Sequence, residues 1–323
     1  MAKRDRIVFY GTPEFAVASL KALFDEGFNI VAVVTAPDKP AGRGKKLQSS
    51  AIKQFALRKQ LPVLQPDNLK SQDFHEELEA LKPDIQFVVA FRMLPKQVWQ
   101  LPPKGTVNLH ASLLPAYRGA APINHAIING EKETGLTTFF INENIDTGQI
   151  IFQTKTQIHP EDNAGMLHDR MMLQGSELIA KTAKAIESGN YKTIPQNELY
   201  DGVTENKMAP KIFREDCHIP WCRKKMVQLR NFIRGLSPYP AAHTFLISPD
   251  GKKNQLKIFE IAAIKDKHHY SCGKLLTDGK KYMDITTAEG YIQILELQLS
   301  GRKKMTIQEF LRGFPIDENW KIE

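Results

Sequence analysis

The sequence predicts an α/β protein with a larger domain on a mostly parallel sheet, followed by a smaller domain of short antiparallel strands. Three observations predict it. Apolar, β-branched runs alternate with stretches of helical spacing through the first half of the chain. Beyond about residue 210 that rhythm gives way to short strands separated by hairpin turns. The chain has 323 residues, 42% apolar and 25% charged, which suits two globular cores and excludes a disordered, collagenous or coiled-coil protein.

Arg6 to Tyr10 (RIVFY) is an apolar strand broken by Gly11-Thr12-Pro13, and Phe15, Ala16, Leu20, Leu23 and Phe24 follow at helical spacing. Ile30 to Thr35 is a second strand, Ile52 to Leu57 a short helix and Val63-Leu64 a third strand. Phe74, Leu78 and Leu81 mark one face of another helix, and Asp84 to Ala90 and Gly105 to His110 are further strands. Strands alternating with helices predict a parallel sheet covered on both faces. Leu136 to Asn142 and Gln149 to Ile158 are two more strands, joined through Asn144-Ile145-Asp146-Thr147-Gly148. A long helix is expected from about Asn163 to Ser188, with Asp162 as N-cap and Gly189 past its end.

Tyr191 to Pro210 is polar and carries two prolines, so it reads as a linker between a domain at 1–190 and a second at 211–323. The second domain is expected to hold a helix around Arg223 to Arg234 and strands near His243 to Ile247, Leu256 to Ile264, Tyr282 to Thr286 and Tyr291 to Leu299. Ser248-Pro249-Asp250-Gly251 and Ala288-Glu289-Gly290 are hairpin turns, and Thr306 with Glu309 forms a capping box for a last helix ending at Gly313. Such a set of strands is compatible with a small barrel.

The charge is unevenly spread. Residues 1–205 carry 23 basic and 23 acidic side chains, whereas 206–323 carry 21 and 13, so the whole net charge of +8 lies in the C-terminal part. A confined basic surface is an electrostatic footprint for a polyanion, nucleic acid first, although a charge of that size serves solubility equally well. No apolar run reaches the ~18 to 20 residues of a membrane span, and MAKRDR leads quickly into a glycine turn, which argues against membrane insertion and secretion. Cys217, Cys222 and Cys272 are too few for a disulfide framework and match no paired CxxC zinc site. They read as structural, no metal is expected, and the cytoplasm is the expected compartment.

Gly11-Thr12-Pro13-Glu14 has one glycine where a dinucleotide fold needs three, which disfavours a nicotinamide dehydrogenase. The signatures of serine hydrolases, P-loop NTPases and zincins are absent. The run Asn108 to Gly119 (NLHASLLPAYRG) stands out instead, because its polar groups sit at the end of an apolar strand, where open parallel sheets bind ligands. Asn108 and His110 are two residues apart, so in a strand both project to one face. An amide beside an imidazole is suited to hold a carbonyl oxygen that gains negative charge. Asp146 is a candidate to orient or ionise His110. Taken singly, the three read more simply as a turn cap, a core histidine and a turn carboxylate.

With these residues in hand, the sequence resembles the methionyl-tRNA formyltransferases over almost its whole length. The resemblance rests on Gly11-Thr12-Pro13-Glu14-Phe15, the loop Pro37 to Lys46 (PDKPAGRGKK), the Asn108 to Pro122 run, Asp146-Thr147-Gly148 and Gly301-Arg302-Lys303-Lys304-Met305. It implies a Rossmann-like formyl-transfer domain followed by an OB-like β-barrel that helps to bind tRNA. It also implies the reaction: the α-amine of methionine on initiator tRNA takes the formyl group of 10-formyltetrahydrofolate, for translation initiation. In that reaction Asn108 and protonated His110 stabilise the oxyanion, and Asp146 keeps His110 charged and helps to move the proton.

By the same resemblance Ser112, Leu113, Leu114 and Pro115 border the folate site. Arg43, between Gly42 and Gly44 and followed by Lys45 and Lys46, would meet the acceptor stem, although a bare charge run of this kind usually marks a solvated loop. Arg223, Lys224, Lys225, Arg230, Arg234, Arg302, Lys303 and Lys304 would neutralise tRNA backbone. Many members carry Tyr-Gly and a slightly longer apolar stretch where this chain has Phe91-Arg92-Met93-Leu94-Pro95. A monomer is expected. The competing readings are a formyltransferase acting on a sugar nucleotide or other small amine, which has no need of the basic appendage, and a nucleic-acid-binding module without activity, which the Asn, His, Asp trio argues against.

Overall fold

The computed structural model describes residues 4–41, 46–199 and 207–323. The chain forms two compact units, one comprising Met1–Gly119, Glu133–Gln157 and His168–Met208, the other Ala120–Lys132, Ile158–Leu167 and Ala209–Glu323. The second unit thus takes in two segments that lie within 1–190 of the sequence.

The first unit opens with β1 (Arg6–Gly11), α1 (Glu14–Asp25) and β2 (Asn29–Val34). Gly11 is required where it stands, since a Cβ there would lie 2.5 Å from the Ala16 Cβ. A separate two-stranded ribbon, β3 (Lys39–Ala41) and β4 (Lys46–Gln48), comes next. Then come α2 (Ala51–Arg58), capped by the Ser50 hydroxyl, β5 (Val63–Leu64), α3 (Gln72–Ala80) and β6 (Ile85–Val89). They are followed by α4 (Lys96–Trp99), β7 (Thr106–His110), α5 (Pro122–Ile128, in the second unit), β8 (Glu133–Phe140), β9 (Ile150–Gln157) and α6 (Ala164–Ser188).

The sheet runs β5-β2-β1-β6-β7-β8-β9. It is parallel from β5 to β7 and antiparallel from β7 to β9, so the mostly parallel sheet expected from the sequence is present. Its two faces are distinct. Val8, Tyr10, Ala32, Val34 and Val88 pack with Phe74, Leu78 and Val98, from α3 and α4. Towards α6, Leu109 and Leu136 close over Gly175, and Thr138 bonds Thr182. The strand order reverses between β1 and β6, which makes the carboxyl ends of the central strands the natural ligand crevice. The start of α6 differs by one residue from expectation. Asn163, not Asp162, caps it, accepting from Met166 N at 2.9 Å, while the Asp162 carboxylate accepts from His159 N at 2.6 Å.

The second unit contains α7 (Met226–Leu236), β10 (Ala242–Ile247), β11 (Lys253–Lys265), β12 (Leu275–Thr277), β13 (Met283–Thr287) and β14 (Gly290–Leu299). β15 (Met305–Thr306), α8 (Ile307–Gly313) and β16 (Lys321–Ile322) complete it. The strands run β12-β13-β14-β11-β10-β16 in antiparallel pairs, a barrel-like sheet around Leu246, Leu256, Ile258, Ile292, Ile294 and Leu297. α7 inserts Leu229, Phe232 and Ile233 into this core, and α8 carries the expected Thr306–Glu309 capping box.

The cysteines correct the sequence reading. Cys222 and Cys272, fifty residues apart, are joined as a disulfide with a Cα–Cα distance of 5.7 Å, and only Cys217 is a free, buried thiol. Sparse cysteines with no local spacing hid a pair that the barrel fold brings together. Among the described residues no helix is long and apolar enough to cross a membrane.

Candidate active site

β7 has neighbours on both sides, with Val88 of β6 beside Asn108 and Phe139 of β8 opposite it. Its alternation sends Leu109 toward α6 and sends Asn108 and His110 to the other face, at the carboxyl end of the strand. Asn108 is half-buried, and His110 is 6% exposed.

The residues after β7 form a closed turn. The Ser112 hydroxyl donates to Ala116 O at 2.6 Å, Thr137 Oγ1 bridges Ser112 O and Leu114 N, and Gln153 donates to Leu114 O. The Leu114–Pro115 peptide is cis, and Leu114 is buried with Phe139 and Ile150. Of the four residues expected to border a folate site, Ser112 and Leu114 are therefore engaged inside the turn. The turn leads to Tyr117, which adopts a left-handed backbone with φ 60°. Tyr117 O accepts from His110 Nε2 at 2.8 Å. A carbonyl partner can only accept, so Nε2 carries the ring proton and Nδ1 is the nitrogen left for chemistry.

Nδ1 faces the Asp146 Oδ2 at 3.8 Å, too long for a hydrogen bond but within ion-pair reach. Asp146 also has a left-handed backbone, with φ 54°. Its position is held from several sides. Gly119 N donates to Oδ2 at 3.0 Å and Arg118 Nε donates to Asp146 O at 3.1 Å. The loop then enters β9 through Gly148, where a Cβ would fall 1.6 Å from Phe140 O, so no side chain fits.

Sequence reasoning missed the residue that ties this loop together. Gln196, 5% exposed, donates through Nε2 to Asp146 O and Gly148 O, both at 2.9 Å. Its Oε1 accepts from Arg118 Nη2 at 2.6 Å and from Nε at 3.1 Å. It lies in the segment read as a linker, whose described part also pairs Ile194 with Ile150 and offers Lys207 O to Tyr117 N. A polar, proline-containing stretch gives no sign of a buried anchor. The structure thus brings Asn108, His110 and Asp146 to one end of the sheet, with Arg118 and Gln196 as positioning residues.

The cations expected to meet tRNA are placed less uniformly. Arg43 and Lys45 lie outside the described residues, and Lys46 opens β4. Arg223, Lys225, Arg302 and Lys303 are exposed in the second unit and Lys224 is half-buried. Lys304, also exposed, pairs with Glu296 and lies over the Phe259 ring. Arg230 and Arg234 also have partners within the fold. Arg230 pairs with Glu161 at 2.8 Å, and Arg234 donates to Asp162 O at 2.7 Å, where burial, followed by the Arg230 charge, lowers its pKa. Both have these partners within their own unit.

Comparison with known proteins settles the family. The family model described as formyl transferase matches residues 5–183, and the formyl transferase C-terminal domain matches 211–315. The chain belongs to the formyl transferase family. It is 49% identical over 323 residues to the methionyl-tRNA formyltransferase of Bacteroides thetaiotaomicron, covering all of both chains. It is also 51% identical over 316 residues to that of Parabacteroides distasonis, covering 97% of each. Among solved structures, a sugar 3N-formyl transferase crystallised with dTDP and 5-N-formyl-THF superposes with a TM-score of 0.63 at 21% identity, covering 94% of this chain and all of the other. At that identity it shows that this formyl transferase shares the fold, namely the Rossmann-like sheet and the antiparallel barrel.

Proposed function

We propose that this chain transfers the formyl group of 10-formyltetrahydrofolate to the α-amine of methionyl initiator tRNA, as a cytoplasmic monomer. The observation that carries the acceptor is 49% identity to a methionyl-tRNA formyltransferase across the full length of both chains, basic barrel included. A likeness in fold to sugar formyl transferases does not carry an acceptor.

The site geometry supports the chemistry. The amine nitrogen adds to the formyl carbon, and the formyl oxygen gains negative charge. Asn108 through its amide N–H and the protonated His110 through Nδ1–H hold that oxygen, while Tyr117 O accepts from the Nε2–H on the other side of the ring. Asp146, 3.8 Å from Nδ1, orients the ring, and the pair relays the amine proton toward the nitrogen that leaves as its bond to carbon breaks. Arg302, Lys303, Arg223 and Lys225, all exposed, supply phosphate contacts.

The test is incubation with 10-formyltetrahydrofolate and methionyl-tRNA, followed by mass analysis of the amino acid released from the tRNA. N-formylmethionine is expected. Unmodified methionine, with formylation of an amino sugar nucleotide in a parallel reaction, would overturn the acceptor.

A further inference from the structure

Tyr10 is a residue the mechanism does not use. It is fully buried, and its phenol oxygen has no hydrogen-bond partner within the described protein. Its surroundings in the core include Val88, Leu94 and Ile141, all apolar. A buried hydroxyl without a partner is costly, and phenylalanine would fill this space without that cost. Burial pushes the phenol well above its ordinary pKa, so it remains an O–H donor across the working pH range.

Its place in the sheet points to what that donor serves. Tyr10 pairs with Val88 and Val88 pairs with Asn108, so the three stand in one row on one face of the sheet. At about 4.8 Å between neighbouring strands, only the width of a valine separates the tyrosine from the reacting end. The Tyr10 ring packs against Phe91 with centroids 5.6 Å apart, just past the carboxyl end of β6. Phe91 is itself only half-buried, so the ring packed on Tyr10 is partly open to solvent. The covering segment begins at Ala90 with a left-handed φ of 49°, exposes Met93, and is clasped by Arg92, which donates to Asp67 O and Pro66 O.

We propose that the Tyr10 hydroxyl is a specificity-determining hydrogen-bond partner for the bicyclic ring of the reduced-folate donor, reached when Phe91 turns aside. This rests on the function proposed above. If the transferred carbon sits at Asn108 and His110, the bicycle, one methylene from the formyl-bearing nitrogen, lies beside them. Its ring nitrogens, oxo and amino groups need partners in an otherwise apolar setting. Tyr10 provides one where the valines and leucines around it cannot.

The test uses the full-length protein and its Tyr10→Phe variant, titrated with 5-formyltetrahydrofolate and with p-aminobenzoyl-glutamate, which lacks the bicycle. Tyr10→Phe is expected to weaken 5-formyltetrahydrofolate roughly tenfold, to leave p-aminobenzoyl-glutamate unchanged, and to keep or raise the unfolding midpoint without ligand. Tyr10→Met, which also lacks the hydroxyl, should show the same selective loss. Unchanged 5-formyltetrahydrofolate affinity with a raised midpoint makes the hydroxyl a merely structural or hydrated group and overturns the inference. Equal loss for both ligands signals distortion and also overturns it. If the wild-type protein does not bind 5-formyltetrahydrofolate, the proposed function itself fails, an outcome separate from any effect of the variant.

Discussion

Replacing Gln196 with alanine tests how the Asp146 carboxylate is held. The side chain donates to Asp146 O and Gly148 O and accepts from Arg118, all while buried. A neutral hydrogen bond contributes about 1 kcal/mol and one to a charged group about 1.5–3 kcal/mol, so the anchor contributes roughly 3–5 kcal/mol to this geometry. The left-handed backbone at Asp146 itself costs on the order of 1–3 kcal/mol, and without the anchor that strain favours release of the loop. A loss of about 2 kcal/mol of catalytic geometry corresponds to roughly a thirtyfold lower kcat. Pre-steady-state formylation should therefore show kcat down by roughly 10- to 100-fold, with little change in KM for the donor. Gln196→Glu keeps the oxygen for Arg118 but turns the donor toward two carbonyls into an acceptor, so it should not rescue turnover. A folded Gln196→Ala protein with wild-type kcat would refute the assignment of Gln196 as a positioning residue.

Asp146→Asn retains an oxygen for Gly119 N–H, so the fold should stay intact while single-turnover formylation falls by about 100- to 10,000-fold; near-normal rates would count against a catalytic carboxylate. The Cys222–Cys272 link spans fifty residues and should contribute about 4 kcal/mol; thiol titration of the unreduced protein in denaturant should report one thiol, and three would contradict the pairing. His243 is buried beside His218, and burial first, then the His218 charge, lowers its pKa. The unfolded chain then takes up the proton first, so stability is complete above about pH 6.5 and declines as pH falls through that value; the decline should be shallower in His243→Gln, measured by thermal unfolding from pH 7 to 5. Lys303→Ala should weaken tRNA binding at every sequence and reduce the salt slope by about 1, whereas an unchanged slope would remove Lys303 from the phosphate contacts.

What could be read from the chain follows from the range of each signal. The alternation that sets Asn108 and His110 on one face is a period of two along a single strand, so adjacent letters reveal it. Asp146 was accessible because a polar, glycine-ended loop between two apolar runs is a local pattern. Gln196 was not, because its partners Arg118, Asp146 and Gly148 lie about fifty to eighty positions away and its own neighbourhood looks like a tether. Cys222 and Cys272 were hidden in the same way. A count of positive charge cannot tell a free guanidinium from one already bonded within the fold, as Arg230 is to Glu161 and Arg234 to Asp162 O. The short helix α5 had a visible cue in Pro122 at its first turn, a position where a missing N–H costs nothing.

The places where local preference is overruled are not scattered at random. Among the described residues six non-glycines have a left-handed backbone, and three of them, Ala90, Tyr117 and Asp146, stand at the carboxyl end of the sheet around the candidate site. Each bears on a group to which a role is proposed above: Tyr117 presents its carbonyl to His110, Asp146 its carboxylate, and Ala90 starts the segment that carries Phe91 against Tyr10. None of these conformations is favoured by its own residue, so each must be held by contacts from elsewhere, as Gln196 and Gly119 hold Asp146 and Lys207 O engages Tyr117 N. The unpartnered Tyr10 hydroxyl is the same kind of departure in a side chain rather than a backbone. Strain with a visible counterweight marks a residue the fold positions, whereas the Tyr10 hydroxyl combines a missing partner with a place in the same row as Asn108, which is what the proposed ligand contact rests on. By that criterion Gln196 variants should lose both stability and turnover, and Tyr10→Phe should lose donor affinity alone.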